Sequence, residues 1–210
     1  KGVHAATGNK GMQSLVKALH DQRNFKQMCL FSLHALRKLV GAGEKVNFSW
    51  EANVALLVDN NGIGALRDML TRYAGDKHIL LDVTAILRRI PRHSRRGKEM
   101  AKLMIEESAI LDVLESIKKN PGLVEGMEQA IDLVKTCAAV NPRAMGNAAH
   151  IQGLFDVQMA FSGDELVVNS CAGALETLCR SKTARAIFSS MGAIETTIDR
   201  FLIKGHSDLS

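Results

Sequence analysis

The densest group of side chains that could do chemistry in this sequence is a basic segment at residues 88–98. Its six cationic side chains are Arg88, Arg89, Arg92, Arg95, Arg96 and Lys98, and they are accompanied by His93 and Ser94. Guanidinium and ammonium groups bind carboxylates and phosphates. The segment therefore has three interpretations: a solvated connection between helices, a docking patch for an acidic protein segment, or a contact with nucleic acid or anionic lipid. Ser94, between arginines, is also a candidate phosphorylation site.

The distribution of charge favours the acidic protein segment over nucleic acid. Residues 1–107 contain 18 Lys and Arg against 10 Asp and Glu, whereas residues 108–210 contain 9 against 12. The first half is therefore cationic and the second half is anionic, within a net charge of +5. The basic segment has no interleaved aromatic residues on which bases could stack. Nucleic acid is disfavoured as a partner, and so is a membrane, except as a peripheral contact.

Catalytic and metal-binding patterns are not found. Residues 41–45, Gly-Ala-Gly-Glu-Lys, lack the full spacing of a phosphate loop and follow a helix rather than a strand. The seven histidines have no i, i+4 partners, and adjacent acids such as Glu106 and Glu107 do not face one another on a helix. We therefore expect no enzymatic activity, no metal and no cofactor.

The cysteines and the hydropathy suggest where the protein resides. Cys29, Cys137, Cys171 and Cys179 each lie within an apolar helical stretch, so we expect buried free thiols and a reducing compartment. No run of about 18 apolar residues could cross a membrane, and no signal peptide is visible. We predict an intracellular, cytoplasmic location, compatible with nuclear shuttling. The chain begins with Lys1, which suggests a piece of a longer protein.

The helices that must position these side chains are indicated by an apolar pattern that occurs five times. Its spacing of i, i+3, i+4 and i+7 places apolar side chains along one helix face. The copies begin at Met12, Ile63, Ile110, Ile151 and Ile194. A helical period in the low forties is typical of armadillo and HEAT units.

Each copy sits within an order of short helix, amphipathic helix and buried helix. We predict buried helices at residues 25–40, 77–90, 123–139 and 165–180, which are apolar around most of their circumference. Short connecting helices are predicted at residues 48–58, 97–105, 143–149 and 183–190. Asp76 and Asp164 are positioned to cap buried helices. Trp50, the only tryptophan, falls in a connecting helix and is expected to serve packing.

Residues 59–66, Asp-Asn-Asn-Gly-Ile-Gly-Ala-Leu, and residues 190–194, Ser-Met-Gly-Ala-Ile, resemble the armadillo phrase that opens the second helix of a unit. With the three-helix order, the resemblance covers essentially the whole chain. It implies an all-α, right-handed solenoid of about four and a half units in a single domain, with HEAT-like repeats as the alternative. The units are residues 1–60, 61–107, 108–149, 150–191 and a partial unit at 192–210.

The resemblance implies that third helices line a concave groove for an extended peptide. Two groove positions are defined by aligning the third helices. The first groove position holds His34, Ala85, Asp132 and Gly173, and the second holds Lys38, Arg89, Thr136 and Thr177. The tryptophan and asparagine ladder of nuclear-import adaptors is missing from them. The resemblance is closer to the β-catenin branch, which favours basic residues in the groove.

The prediction is a non-catalytic scaffold or adaptor that binds an acidic or phosphorylated protein segment. The predicted groove residues are His34, Arg37, Lys38, Arg88, Arg89, Asp132, Thr136 and Thr177, and the predicted basic patch is Arg92, His93, Arg95, Arg96 and Lys98. The alternative is electrostatic binding of nucleic acid or anionic membrane through residues 88–98. Self-association through exposed solenoid ends, such as residues 201–203, is a further expectation.

Overall fold

The computed structural model describes the backbone of residues 2–42 and 50–191, and the side chains from residue 10 onwards in these ranges. Twelve α-helices and one short 3-10 helix lie in this part of the chain, which contains no β-strand. The α-helices are α1 (Gly2–Asp21), α2 (Lys26–Leu39), α3 (Trp50–Asp59), α4 (Gly62–Arg72), α5 (Lys77–Leu87), α6 (Gly97–Glu106), α7 (Ala109–Lys118), α8 (Val124–Val140), α9 (Pro142–Met145), α10 (Ala148–Ala160), α11 (Glu165–Leu178) and α12 (Lys182–Ser190). The 3-10 helix Ile90–Arg92 lies between α5 and α6.

The all-helical class is confirmed, and α2, α5, α8 and α11 lie where the four buried helices were predicted. The predicted burial of α2 was wrong in part, because Phe25, Met28, Phe31 and Leu39 are exposed. The predicted caps are also confirmed. Asp76 Oδ1 accepts hydrogen bonds from the backbone N–H of His78 at 2.9 Å and of Ile79 at 3.1 Å. Asp164 Oδ1 accepts from the backbone N–H of Val167 at 3.2 Å. Each cap satisfies N–H groups that have no partner within the helix.

The predicted connecting helix at residues 143–149 was wrong in its extent. The observed α9 has only four residues, and α10 starts at Ala148, inside the range predicted for the connecting helix. The side chain of Asn147 accepts a hydrogen bond from the backbone N–H of His150, so Asn147 caps α10 and ends the connection early. The other connecting helices, α3, α6 and α12, lie where they were predicted within a residue or two. Residues 43–45, 48 and 49, and the predicted last unit with residues 201–203, lie outside the described residues.

The helices pack in two rows. Row A consists of α1, α4, α7 and α10, and row B consists of α2, α5, α8 and α11; within each row, every helix contacts the next one in the chain. Paired contacts α1 with α2, α4 with α5, α7 with α8 and α10 with α11 join the two rows. The apolar residues of the repeated pattern, including Met12, Ile63, Ile110 and Ile151, are buried in the core between them.

Left-handed backbone conformations mark the connections. Gly41 has φ of +66° directly after the end of α2, a conformation that glycine adopts at no steric cost. Asn61 and Ser108, with φ of 60° and 61°, occupy the same place before α4 and α7. The turns into α4 and α7 therefore share a left-handed residue, whereas Asn147 before α10 has φ of −111°. None of the helices in the described ranges is both long and apolar enough to span a membrane.

Candidate functional site

The predicted groove residues lie on row B, and the burial pattern supports the alignment that defined them. Ile79 and Ile86 of α5 are fully buried, as are the residues at the matching places of α11, Val167 and Ala174. Leu133 of α8 is buried in the same way. Matching positions of α5, α8 and α11 are therefore buried alike, which supports the alignment. The two groove positions lie next to these buried positions in the sequence.

Arg37 connects two row B helices. Its Nη1 donates to Asp82 Oδ1 of α5 at 2.7 Å, and its Nε donates to the carbonyl of Ala42 at 3.2 Å. The side chain of Asp82 is only 12% exposed. The Arg37 guanidinium compensates this mostly buried carboxylate, because a buried charge without a partner would be costly. Arg37 therefore has a role in packing that the sequence did not reveal.

Arg88, Arg92 and Asp132 form a compact cluster, the Arg88–Arg92–Asp132 cluster. Arg88 Nε lies 2.6 Å from Asp132 Oδ2, and Arg92 Nη2 lies 2.6 Å from the same oxygen. All three side chains are partly exposed, at 28%, 38% and 37%. Two guanidinium groups share one carboxylate, so the cluster keeps an excess positive charge and spare N–H donors near the surface.

Arg89 is directed away from the other predicted groove residues. Its Nε donates to the carbonyl of Gly41 at 3.0 Å, and its guanidinium carbon lies 5.1 Å from the centre of the Trp50 ring. Burial lowers the pKa of Arg89, and the neighbouring charges of Arg92 and Arg88 lower it further. The left-handed turn at Gly41 presents its carbonyl to this arginine. Arg89 thus joins the first two units.

Several predicted groove residues keep free polar groups. His34 and Lys38 of α2 are exposed, and neither forms an ion pair or side-chain hydrogen bond with the described residues. The hydroxyls of Thr136 and Thr177 donate to the carbonyls one turn earlier in their own helices, at 2.7 Å and 2.9 Å. Each hydroxyl oxygen retains acceptor capacity. The row B surface is therefore most cationic on α2 and at the Arg88–Arg92–Asp132 cluster.

The rest of the predicted basic patch forms the connection into α6. His93 Nδ1 accepts from the backbone N–H groups of Arg95 and Arg96, at 3.2 Å and 3.1 Å. Arg96 reaches Asp59 at 3.0 Å and Glu99 at 3.2 Å, whereas Arg95 and Lys98 are exposed and have no carboxylate partner in the described residues. Much of the positive charge that the sequence concentrates here is thus neutralised within the chain.

Ser94 is held by the first turn of α3. Its backbone N–H and its hydroxyl donate to the two carboxylate oxygens of Glu51, at 2.8 Å and 3.0 Å. The backbone hydrogen bond, followed by the hydroxyl bond, lowers the pKa of Glu51. Ser94 is exposed, but its hydroxyl already has a partner in this connection.

Ion pairs between row A helices were missed in the sequence. Arg67 Nε of α4 lies 2.6 Å from Asp112 Oδ2 of α7, and Lys118 Nζ of α7 lies 3.0 Å from Asp156 Oδ2 of α10. The hydrogen bonds to Glu115 and Asp156 raise the pKa of the Lys118 ammonium. The sequence did contain a signal for these ion pairs. In each pair, as in Arg37 and Asp82, the basic and acidic residues are separated along the chain by about the length of one unit.

The described residues offer little for metal or covalent chemistry. In residues 10–42 and 50–191, no three His, Cys, Asp or Glu side chains come together in a group that could hold a metal ion. Cys29, Cys137 and Cys171 are buried, and Cys179 is half-buried. Burial raises the pKa of both the Cys137 and Cys171 thiols to about 12, so they are protonated at neutral pH and are poor nucleophiles.

Comparison of the chain with protein-family models, with curated proteins and with solved structures finds no match.

Proposed function

We propose that this chain is a non-catalytic, intracellular interaction domain of the armadillo type that binds an acidic or phosphorylated protein segment along row B. The two rows of helices, with contacts between consecutive members of each row, are consistent with stacked three-helix units. Stacked units bind along an extended surface, so a partner segment would contact several row B helices in succession. The proposal includes the right-handed solenoid that the sequence resemblance implies.

The observation that carries this proposal is the Arg88–Arg92–Asp132 cluster. Asp132 Oδ2 receives both guanidinium groups within 2.6 Å, which leaves one positive charge unmatched. A guanidinium group has five N–H donors in a fork that fits carboxylate and phosphate oxygens. An incoming anion would bind the spare donors without displacing Asp132. Because the cluster is partly exposed, the loss of solvation on binding would be smaller than for a fully buried ion pair.

The exposed end of α2 extends the cationic surface. His34 and Lys38 occupy the two groove positions of the first row B helix, and both are free of carboxylate partners in the described residues. A segment with two separated negative charges could contact Lys38 and the Arg88–Arg92–Asp132 cluster together. Arg89, which contacts Gly41 and Trp50, is a supporting residue rather than a ligand contact in this proposal.

The test uses fluorescently labelled peptides of polyglutamate and of repeated phosphoserine, with binding followed by anisotropy. The double variant Lys38→Glu with Arg92→Glu reverses two exposed charges, and should weaken binding about tenfold or more, because hydrogen bonds to charged groups contribute roughly 1.5–3 kcal/mol each. Arg37, Arg88 and Arg89 are left intact because they are the more buried arginines in the contacts between units, whereas Arg92 is the exposed partner of Asp132.

The control is Lys102→Glu, which reverses an exposed charge on α6 at a position outside the predicted groove residues and basic patch. It should bind the peptides nearly as the unmodified chain does. Equal weakening by Lys102→Glu would mean that only net charge matters, and unchanged binding by the double variant would refute the row B site. Thermal unfolding of each variant checks that the fold is retained.

Electrostatic attachment to nucleic acid or anionic membrane is the second candidate, supported by the exposed side chains of Arg95 and Lys98. It has less support than the first because Arg96 already pairs with the two carboxylates of Asp59 and Glu99, and the basic segment has no interleaved aromatic residues. It predicts an affinity for duplex DNA, or for vesicles containing phosphatidylserine, that falls steeply with added salt. Loss of that binding in the double variant Arg95→Glu with Lys98→Glu would favour it.

A further inference from the structure

The connection between the 3-10 helix and α6 presents Ser94 at the tip of a tight loop. The backbone N–H of Gly97 donates to the carbonyl of His93 at 2.9 Å, which closes the loop. The chain also approaches itself closely here, because a Cβ at Gly97 would lie 2.4 Å from the backbone oxygen of Pro91. Ser94 and Arg95 are consecutive exposed residues between these contacts. A loop tip of this kind is accessible to an enzyme that modifies side chains.

Exposed arginines flank Ser94 on both sides. Arg92 is exposed two residues before it, and Arg95 is exposed directly after it. Basic side chains at fixed offsets from a serine are a charge pattern by which a kinase with an acidic substrate site selects its substrates. Ser14 is also exposed, on α1, but no arginine lies within eight residues of it in the sequence. The two serines therefore differ in the feature that such a kinase would recognise.

The hydroxyl of Ser94 helps to hold α3 in place. It donates to Glu51 Oε2 at 3.0 Å, and the backbone N–H of Ser94 donates to Glu51 Oε1 at 2.8 Å. Glu51 lies in the first turn of α3. At the other end of α3, Asp59 Oδ1 accepts from Arg96 Nη1 at 3.0 Å. The loop before α6 therefore holds α3 at both ends, and one of the two contacts depends on the Ser94 hydroxyl.

A phosphate on Ser94 would convert this contact from attraction to repulsion. The phosphorylated oxygen has no proton to donate, and the group carries roughly −1.5 to −2 charge at pH 7. It would lie beside the Glu51 carboxylate, whose Oε2 is 3.0 Å from the hydroxyl oxygen. After the two hydrogen bonds, the charges of His93 and Arg95 also lower the pKa of Glu51, so both side chains lie within electrostatic reach of this place. Arg95 has no carboxylate partner among residues 10–42 and 50–191, so its guanidinium can bind the phosphate.

We propose that Ser94 is a phosphorylation site for a serine kinase that selects basic substrates, and that the phosphate releases the first turn of α3 by repelling Glu51. In the reaction, the hydroxyl oxygen forms a bond to the γ-phosphorus of ATP, and the bond from that phosphorus to the bridging oxygen of ADP breaks. ADP leaves, and the hydroxyl proton passes to the catalytic base of the kinase. The inference is independent of peptide binding along row B.

Incubation of the full 210-residue chain with ATP and the catalytic subunit of cyclic-AMP-dependent protein kinase, an enzyme of this class, tests the site. Mass spectrometry should locate the phosphate on Ser94, with little or none on Ser14. Arg92→Ala should slow the reaction about tenfold, because the kinase loses hydrogen bonds to a charged group. Glu51→Ala should accelerate it about threefold or more, because the hydroxyl no longer leaves a hydrogen bond to a carboxylate when it reacts.

Trp50, the only tryptophan and the residue before Glu51, reports the release of α3. Its side chain is buried, so phosphorylation should shift its emission to longer wavelength as the first turn loosens. Amide hydrogen exchange in α3 should become about fivefold faster, because both hydrogen bonds to the carboxylate are lost. The phosphorylated Glu51→Gln variant is the matched control. It lacks the like charge, so phosphorylation should change its emission and exchange much less.

Charge exchange gives a measurement that does not need the kinase. Ser94→Glu should accelerate exchange in α3, and adding Glu51→Lys should slow it again, because opposite charges then face each other. Equal rates of phosphorylation at Ser94 and Ser14 would overturn the proposed site. Unchanged exchange and emission after phosphorylation, or no recovery in the double variant, would overturn the release of α3. Circular dichroism confirms that each variant is folded before the comparison.

Discussion

Acidification should destabilise this protein through His150, a buried histidine in the first turn of α10. The side chain is 2% exposed, and its Nδ1 lies 2.9 Å from Asn147 Oδ1. Asn147 Oδ1 also accepts from the backbone N–H of His150, so Nδ1 carries the hydrogen and Nε2 does not. Nε2 is buried and has no hydrogen-bond partner in the described residues. Protonation would place a charge there without an acceptor.

The magnitude follows from the difference between the folded and unfolded chain. Burial lowers the pKa of His150 from 6.5 to about 4. Between these values the unfolded chain binds a proton that the folded chain excludes, so the free energy of unfolding falls as the pH falls. The loss between pH 7 and pH 5 is about 2 kcal/mol, and it would approach roughly 3 kcal/mol below pH 4.

Urea unfolding at a series of pH values measures this contribution. The variant His150→Gln removes the titrating group while an amide N–H can still reach Asn147, so its free energy of unfolding should lose about 2 kcal/mol less than that of the unmodified chain between pH 7 and pH 5. His78→Gln, at an exposed position, controls for the loss of any histidine. The reasoning fails if the pH dependence of His150→Gln matches that of the unmodified chain.

Two further predictions concern packing between elements. Gly97→Ala should cost roughly 1–3 kcal/mol, because a Cβ at Gly97 would lie 2.4 Å from the backbone oxygen of Pro91; Gly11→Ala, in open space on α1, should stabilise the chain by up to about 1 kcal/mol. Thermal or urea unfolding compares the two, and a Gly97→Ala variant as stable as Gly11→Ala would contradict the contact. A double-mutant cycle of Arg37→Ala and Asp82→Ala should give a coupling of about 1–2 kcal/mol, since the carboxylate is mostly buried. A coupling near zero would show that the pair does not join α2 to α5.

The helices were predictable because their signals are local. The spacing of apolar residues within one helix, and a capping side chain such as Asp76, act over a few residues and can be read directly. The boundary between α9 and α10 was missed because Asn147 competes with the connecting helix for the same backbone groups. Its short side chain caps α10 at Ala148, whereas the connecting helix was predicted to continue to residue 149.

The candidate site was only partly predictable, because the same side-chain type has different roles at different places. Lys38 and Arg89 align at the second groove position, but Lys38 is exposed and Arg89 binds the Gly41 carbonyl beside Trp50. That outcome depends on a left-handed turn in another unit, which periodicity does not reveal. Arg88 and Arg92 were identified as basic, but their convergence on Asp132 depends on how α8 packs against α5.

The order of contacts in the two rows also bears on how the chain folds. The principal contacts of each helix are with helices close to it in the chain, and the ion pairs between units join residues 37 to 50 positions apart. No end of the chain must find a distant partner before the core can form, so the loop-closure entropy that slows folding is small. Folding can begin at any pair of neighbouring helices, such as α8 and α11, and spread in both directions. Each new unit then adds to a preformed surface.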